Sequence, residues 1–215
     1  MPTRDKDDLH IYWQVSDMER KEFAVVAGPN GAGKSSLSKY YLKVDCFDGD
    51  LMALNLRSEH PDWPERWISG TVAGNLEKQK NNAIANNQNF AFETNFSNDF
   101  IINLINDFKK SNYKISLFYF GIDNLDESLL RVHSRANLGG HNVADDVVKY
   151  NFSECPKRVA QNLHLFDYMI FIDGIMPYGK IIANIRKRDN YKEIADIVPR
   201  WFADGFAGVI LNTTP

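Results

Sequence analysis

The chain predicts an α/β domain: a parallel β-sheet flanked by helices on both faces, with a helical lid. Three observations predict it. Apolar runs of strand length alternate with segments of helical periodicity along most of the 215 residues, the pattern of a parallel sheet joined by crossover helices. Residues 113–121 (YKISLFYFG) are apolar almost without a break, as a strand covered on both faces requires. A glycine-rich loop, residues 28–35, stands directly between the first strand and the first helix.

The elements follow in order. Residues 1–21 form a polar lead-in, with a short helix around 11–15. Strands are expected over 23–27, 44–47, 89–93, 113–121 and 168–173, and a hairpin-like strand over 180–186. Helices are expected over 34–42, 65–87, 99–110, 125–137 and 144–163, with a final one near 191–202. Ile68, Val72 and Leu76 repeat at spacing four, and Ile101, Leu104, Ile105 and Phe108 share one helical face. Pro61 and Pro64 interrupt the segment between the second strand and the helix at 65. The whole chain reads as one domain, with a lid and its following helix over 125–163 and a C-terminal extension over 176–215.

The loop carries the chemistry. Gly28-Pro29-Asn30-Gly31-Ala32-Gly33-Lys34-Ser35 spells G-x-x-x-x-G-K-S, and Ser36 follows. Glycines let the backbone aim several N–H groups at one small volume, and the helix that follows adds its N-terminal donors and dipole. Lys34 is placed to reach the β- and γ-phosphates, and the Ser35 hydroxyl to ligate Mg²⁺, with Asp50 a second candidate ligand. Strand, glycine loop and helix in this order are the context the Walker A pattern needs, so the sequence predicts a P-loop NTPase fold binding ATP or GTP with Mg²⁺.

Composition narrows the class. Net charge is −3 with a pI near 6.0, which gives no electrostatic footprint for nucleic acid. Two cysteines, Cys46 and Cys155, suggest neither a zinc site nor a disulfide framework. The absence of an apolar run of membrane-spanning length or an apolar signal core leads to the expectation of a cytoplasmic protein that engages no membrane.

Ligands of such sheets bind beyond the carboxyl ends of the strands, which draws attention to five acids. Asp48-Gly49-Asp50 follows the second strand, where one carboxylate can take a proton from an acceptor hydroxyl while the other holds metal or substrate. The same triplet is also ordinary turn composition. Glu93 closes the third strand, with Thr94 and Ser97 beyond it; Asp123 and Asp173 each follow an apolar strand and are alternative magnesium-binding aspartates. Arg131 and Arg135 lie four apart on one helix ahead of Gly139-Gly140-His141, as in a lid closing over a nucleotide.

Five segments in order, AGPNGAGKSS, FDGD, FETNFS, YKISLFYFGIDN and RVHSRANLGGHNV, resemble the stand-alone branch of the zeta-toxin family of P-loop small-molecule kinases over roughly residues 22–175. The resemblance implies ATP-dependent phosphorylation of a sugar hydroxyl, in the toxins that of UDP-N-acetylglucosamine, and an antitoxin-like partner. It places Asp50 at the catalytic base, Glu93 at the substrate-side carboxylate with Asp48, Thr94 and Ser97 nearby, and Arg135 and His141 in the lid. After the Gly-Gly-His the family usually continues V-P-x-x-x-I-x-R-R-Y-x-R-S, whereas here Asn151 and Glu154 stand at the arginine positions, with Lys149, Lys157 and Arg158 within about a helical turn. An arginine of that kind is worth about 10³–10⁵ in rate. Two readings stay open: an active kinase, whose acceptor is a nucleotide sugar or another alcohol (NAD, a nucleoside, a shikimate- or gluconate-like acid), and a nucleotide binder with little turnover.

Overall fold

The computed structural model describes residues 21–140, 143–175 and 177–212. The expected short helix at 11–15 lies outside them.

Seven strands form one sheet in the order β2-β3-β1-β4-β5-β6-β7. They are β1 (Glu22–Ala27), β2 (Cys46–Phe47), β3 (Phe90–Thr94), β4 (Lys114–Gly121), β5 (Tyr168–Asp173), β6 (Lys180–Arg186) and β7 (Tyr191–Ile194). The first five in that order are parallel; β6 and β7 add on antiparallel. The parallel α/β class expected from the sequence is therefore the one observed. β1 lies between β3 and β4, so chain leaving its carboxyl end enters a crevice between crossovers that run in opposite directions, the place where such sheets bind ligands.

Side chains of β1 alternate between two cores. Phe23, Val25 and Ala27 join the larger cluster, which packs against the helices α3 (Glu65–Ala85), α4 (Phe100–Lys110) and α6 (Asp145–Gln161). Ala24 and Val26 face the smaller cluster, closed by Leu37 of α1 (Lys34–Leu37) and Tyr41 beyond the 3₁₀ turn Ser38–Tyr40. The first helix is thus one α-turn continued as 3₁₀, shorter than the expected 34–42.

Two expectations change. Gly49–Glu59 is a helix, α2, that hydrophobic periodicity did not reveal, because it buries none of its residues; Asp48 caps it by accepting from Leu51 N at 3.0 Å. The final segment is no single helix. Residues 191–194 pair with β6, after a turn in which Asn190 takes φ +52°, and helix α7 (Arg200–Phe202) starts only behind Pro199. Pairing with a neighbouring strand overrides local helical preference here. Beyond α7 a π-helical turn, Ala203–Ala207, and α8 (Gly208–Asn212) set Trp201, Phe202 and Phe206 against Tyr119 and Phe171.

Trp201 lies flat on Gly121, at the end of β4: a Cβ there would collide with the indole ring. Gly121→Ala is expected to lower the unfolding free energy by about 1–3 kcal/mol, the range for overpacking a filled site, as measured by urea denaturation.

Candidate functional site

The site grows from the loop between β1 and α1. Gly28, Gly31 and Gly33 have φ of +149°, +73° and +92°, conformations that side chains resist. Two of them also pass too close to other backbone. A Cβ on Gly28 would strike the carbonyl oxygen of Phe120, and one on Gly31 would come within 2.7 Å of that of Ser128, in helix α5 (Leu125–Asn137). Pro29, Asn30 and Ala32 are buried, while Ser35 and Ser36 are exposed at the start of α1.

Lys34 is 7% exposed and folds back over the loop. Its Nζ donates to Gly28 O (2.8 Å), Pro29 O (3.0 Å) and Asn95 Oδ1 (2.9 Å). Asn95 follows β3 in a turn made tight by Phe96, whose φ is +54° and whose N–H bonds Thr94 Oγ1 at 2.9 Å. Thr94 thus shapes this turn, and Asn95 is a site residue that the sequence reading missed; its position two residues beyond Glu93 was the available signal. Ser97 lies half-buried just past the turn.

The acids gather on the other side of Ser35. Its Oγ donates to Glu93 Oε1 at 2.9 Å and lies 3.4 Å from Asp48 Oδ2. Burial holds the Glu93 carboxyl above the usual carboxylate range, and the charges of Asp48 and Asp50 push the same way against Lys34 and the Ser35 hydroxyl. Asp50 is exposed in the first turn of α2. So Ser35, Asp48 and Glu93 lie together beside Lys34, with Asp50 on the adjoining first turn of α2. Among the described residues no group of three or more His, Cys, Asp or Glu is placed to hold a metal. The oxygen donors at hand are the Ser35 hydroxyl and the carboxylates beside it, a set that suits Mg²⁺ sharing its shell with phosphate and water.

The other expected residues take different places. Asp123 accepts from Trp201 N (2.6 Å) and Arg200 N (3.3 Å), so it caps α7 rather than facing the loop. Asp173 is partly buried at the end of β5, its carboxyl raised by burial and by Asp123 against the pull of Arg131. Arg131 donates to Gly31 O (3.2 Å) and Gly174 O (2.9 Å) and pairs with Glu127, which makes it a buttress of the loop. Arg135 is exposed in the last turn of α5; its carbonyl accepts from Gly140 N at 2.9 Å and Gly139 takes φ +86°, a Schellman ending. His141 lies outside the described residues.

Asn151, at the first of the two missing-arginine positions, is 4% exposed and donates to Asn30 Oδ1 at 2.8 Å, while Asn30 O accepts from Ser128 Oγ at 2.7 Å. Helices α5 and α6 are thereby anchored to the loop from behind. Cys155, one turn on, is fully buried beside Gly28, and burial pushes its thiol up to about 12. Glu154 pairs with Lys157 at the surface, and Arg158 with Asp99.

Beside Asp48 a groove of about 410 Å³ runs between the free edge of β2 and helix α2, with Gln79 of α3 in its wall.

Sheet order, phosphate-type loop and flanking acids define a P-loop kinase-like protein. The sequence matches the family model described as zeta toxin over residues 10–190, and the chain belongs to that family. A protein of Haemophilus influenzae is 28% identical over 127 residues, covering 58% of this chain and 88% of that one. The fold is similar to a structure from the PezAT chromosomal toxin–antitoxin system of Streptococcus pneumoniae (TM-score 0.56, 14% identity, 94% of this chain and 83% of that chain). It is also similar to AvrRxo1-ORF1:AvrRxo1-ORF2, in a structure with sulphate ions (0.61, 14%, 98% and 69%) and in one with ATP (0.60, 14%, 89% and 64%). At 14% identity these solved structures are similar to this chain in fold. No helix of the described residues is long and apolar enough to cross a membrane.

Three outcomes test this geometry. Asn151→Leu strands the buried Asn30 oxygen and is expected to cost about 1–3 kcal/mol in urea unfolding. Asp123→Ala is expected to cost about 1 kcal/mol as a lost cap while leaving nucleotide affinity unchanged in calorimetric titration. Because Glu93 binds its proton more tightly when folded, its contribution to apo-protein stability is full below the ordinary carboxylate range and is lost as pH rises through its raised value. In Glu93→Gln that part of the stability–pH profile flattens.

Proposed function

We propose that the protein transfers the γ-phosphate of ATP to a hydroxyl of a small molecule. The observation that carries this reading is the convergence of Lys34, Ser35, Asp48 and Glu93 on one spot beside a glycine-shaped loop, with Asp50 close enough to act on Glu93. The loop N–H groups and Lys34 hold the triphosphate. Asp50 takes the acceptor's proton as the new O–P bond forms and the bond from the γ-phosphorus to the β–γ bridging oxygen breaks, releasing ADP. Glu93, with Asp48, orients the acceptor alcohol, and Arg135 of α5 faces the transferring group when the lid segment closes. Mg²⁺, held by Ser35 and the phosphates with Asp48 and Glu93 at hand, would neutralise phosphate charge. Asp50 serves here as base rather than as metal ligand. A nucleotide sugar is the acceptor that family resemblance implies. An antitoxin-like partner belongs to the same reading, supported by family membership and by the PezAT likeness.

A second reading, nucleotide binding with little turnover, is favoured by Asn151 and Glu154 standing where arginines are expected. The two separate in one experiment. Lys34→Ala is expected to abolish ATP binding, and Asp50→Asn to lower acceptor-dependent ADP release by about 10²–10⁴ while ATP affinity stays the same. Tight ATP binding by the wild type, with no acceptor-dependent ADP release from any alcohol, selects the second reading.

A further inference from the structure

Lys34 and Ser35 are both held by the end of one strand. Ser35 Oγ donates to Glu93 Oε1 at 2.9 Å, and Lys34 Nζ donates to Asn95 Oδ1 at 2.9 Å. The two bonds differ in what they leave over. A serine hydroxyl that donates its proton keeps oxygen lone pairs, so Ser35 can meet a cation without leaving Glu93. An ammonium has three N–H groups and no lone pair, and Lys34 gives the other two to Gly28 O (2.8 Å) and Pro29 O (3.0 Å). A phosphate oxygen that reaches Nζ therefore displaces one of three acceptors. Two of them are main-chain carbonyls of a tightly packed loop: a Cβ on Gly28 would strike Phe120 O, and Pro29 is buried. These cannot turn away unless the loop moves. The third sits at the end of a short side chain whose backbone is fixed on both sides. Thr94 is paired with Ala27 in the β1–β3 register, and Phe96 is fully buried in the larger core. Asn95 can thus swing off Lys34 while strand and turn stay in place. Chemistry settles which of its atoms faces the ammonium, since only Oδ1 can accept.

We propose that Asn95 is an internal stand-in for a phosphate oxygen: it holds the Lys34 ammonium until nucleotide binds, and it is the acceptor that the triphosphate displaces. The proposal rests on the nucleotide site of the phosphotransferase reading and adds a control to it. Asn95 is a positioning residue in this arrangement. It keeps the third N–H of a side chain that is 7% exposed from going unpaired, and for the same reason it competes with ATP.

Calorimetric titration of the full chain with a non-hydrolysable ATP analogue, together with urea unfolding of the nucleotide-free protein, tests it. Asn95→Ala is expected to bind the analogue about fivefold more tightly than the wild type, the factor for one net hydrogen bond that no longer has to be exchanged. The same variant is expected to unfold at lower urea. Asn95→Ser, whose hydroxyl stops short of Nζ, is expected to behave alike and keeps a polar turn residue should the alanine variant not fold. Asn95→Asp, whose carboxylate grips the ammonium more firmly, is expected to bind the analogue about tenfold more weakly. Affinity and stability moving in opposite directions is the signature. An asparagine with a merely structural role lowers both when truncated, and one that donates to phosphate loses affinity. The proposal is overturned if the alanine and serine variants bind the analogue no more tightly than the wild type, or if Asn95→Asp binds it as tightly. An analogue that binds neither the wild type nor Asn95→Ala overturns it together with the nucleotide site. Analogue binding without acceptor-dependent ADP release from ATP fails the phosphotransferase reading alone, and the order of affinities among the variants still decides this one.

Discussion

The structure depends on the approach of one loop to backbone on every side except one. Gly28 lies against Phe120 near the end of β4, Gly31 against the first turn of α5, and Gly174, after β5, against Ala32. Side chains are excluded at all three contacts, so the loop is packed closely against backbone there. Arg131 ties the same region together by donating to both Gly31 O and Gly174 O. The arrangement is rigid for a local reason: replacing any of these glycines forces backbone apart, where replacing a surface side chain would only repack it. Lys34 completes it. Its ammonium is held at the loop by two carbonyls and Asn95, which use all three of its N–H donors, so a phosphate oxygen reaching it would take the place of one of these acceptors.

Across that crevice the balance of charge is unfavourable without a ligand. Asp48, Asp50 and Glu93 stand close enough for the first two to raise the third, and Lys34 opposes them. Burial is the larger cause of the raise on Glu93, so the carboxylate nearest Ser35 is the one whose ionised form is least comfortable. A divalent cation beside Ser35, or a hydroxyl donating to the carboxylates, would relieve that tension.

What could be read from sequence follows from how local each feature is. The loop, its strand and its helix are contiguous, and their signals agree, so Gly28 to Ser35 reads directly. Glu93 and Asp48 read almost as well, because strand ends in a parallel sheet share one edge. Helix α2 did not, since a helix that buries nothing leaves no hydrophobic period. The hairpin-like strand over 180–186 was legible and is β6, but its partner β7 was not: the pairing is a tertiary fact, and residues 191–194 carry no alternation strong enough to announce it. Asp123 looked like a site acid because it follows an apolar strand, yet its partners are two backbone N–H groups 77 and 78 residues further on. Asn95 and Asn151 escaped for a related reason, as an uncharged amide shows its role only through the atom it touches.

Asn151 also changes how the missing arginines are to be understood. The face of α6 that carries Asn151, Cys155 and Val159 points inward, and these positions are 4%, 0% and 0% exposed. A guanidinium at 151 would bring a charge into that enclosure beside Asn30, with a desolvation cost that only a bound phosphate could offset. The carboxamide needs no such offset: it satisfies Asn30 in the absence of nucleotide and holds α6 to the loop at all times. On the proposed phosphotransfer, transition-state charge would fall to the loop amides, to Lys34 and to an arginine of α5. Arg131 is committed to carbonyls behind the loop. Arg135, exposed one residue turn before the paired glycines, has its backbone fixed by the Schellman ending and its side chain outside the packed interior, which is the position a group needs if it is to reach the phosphate only when the segment moves.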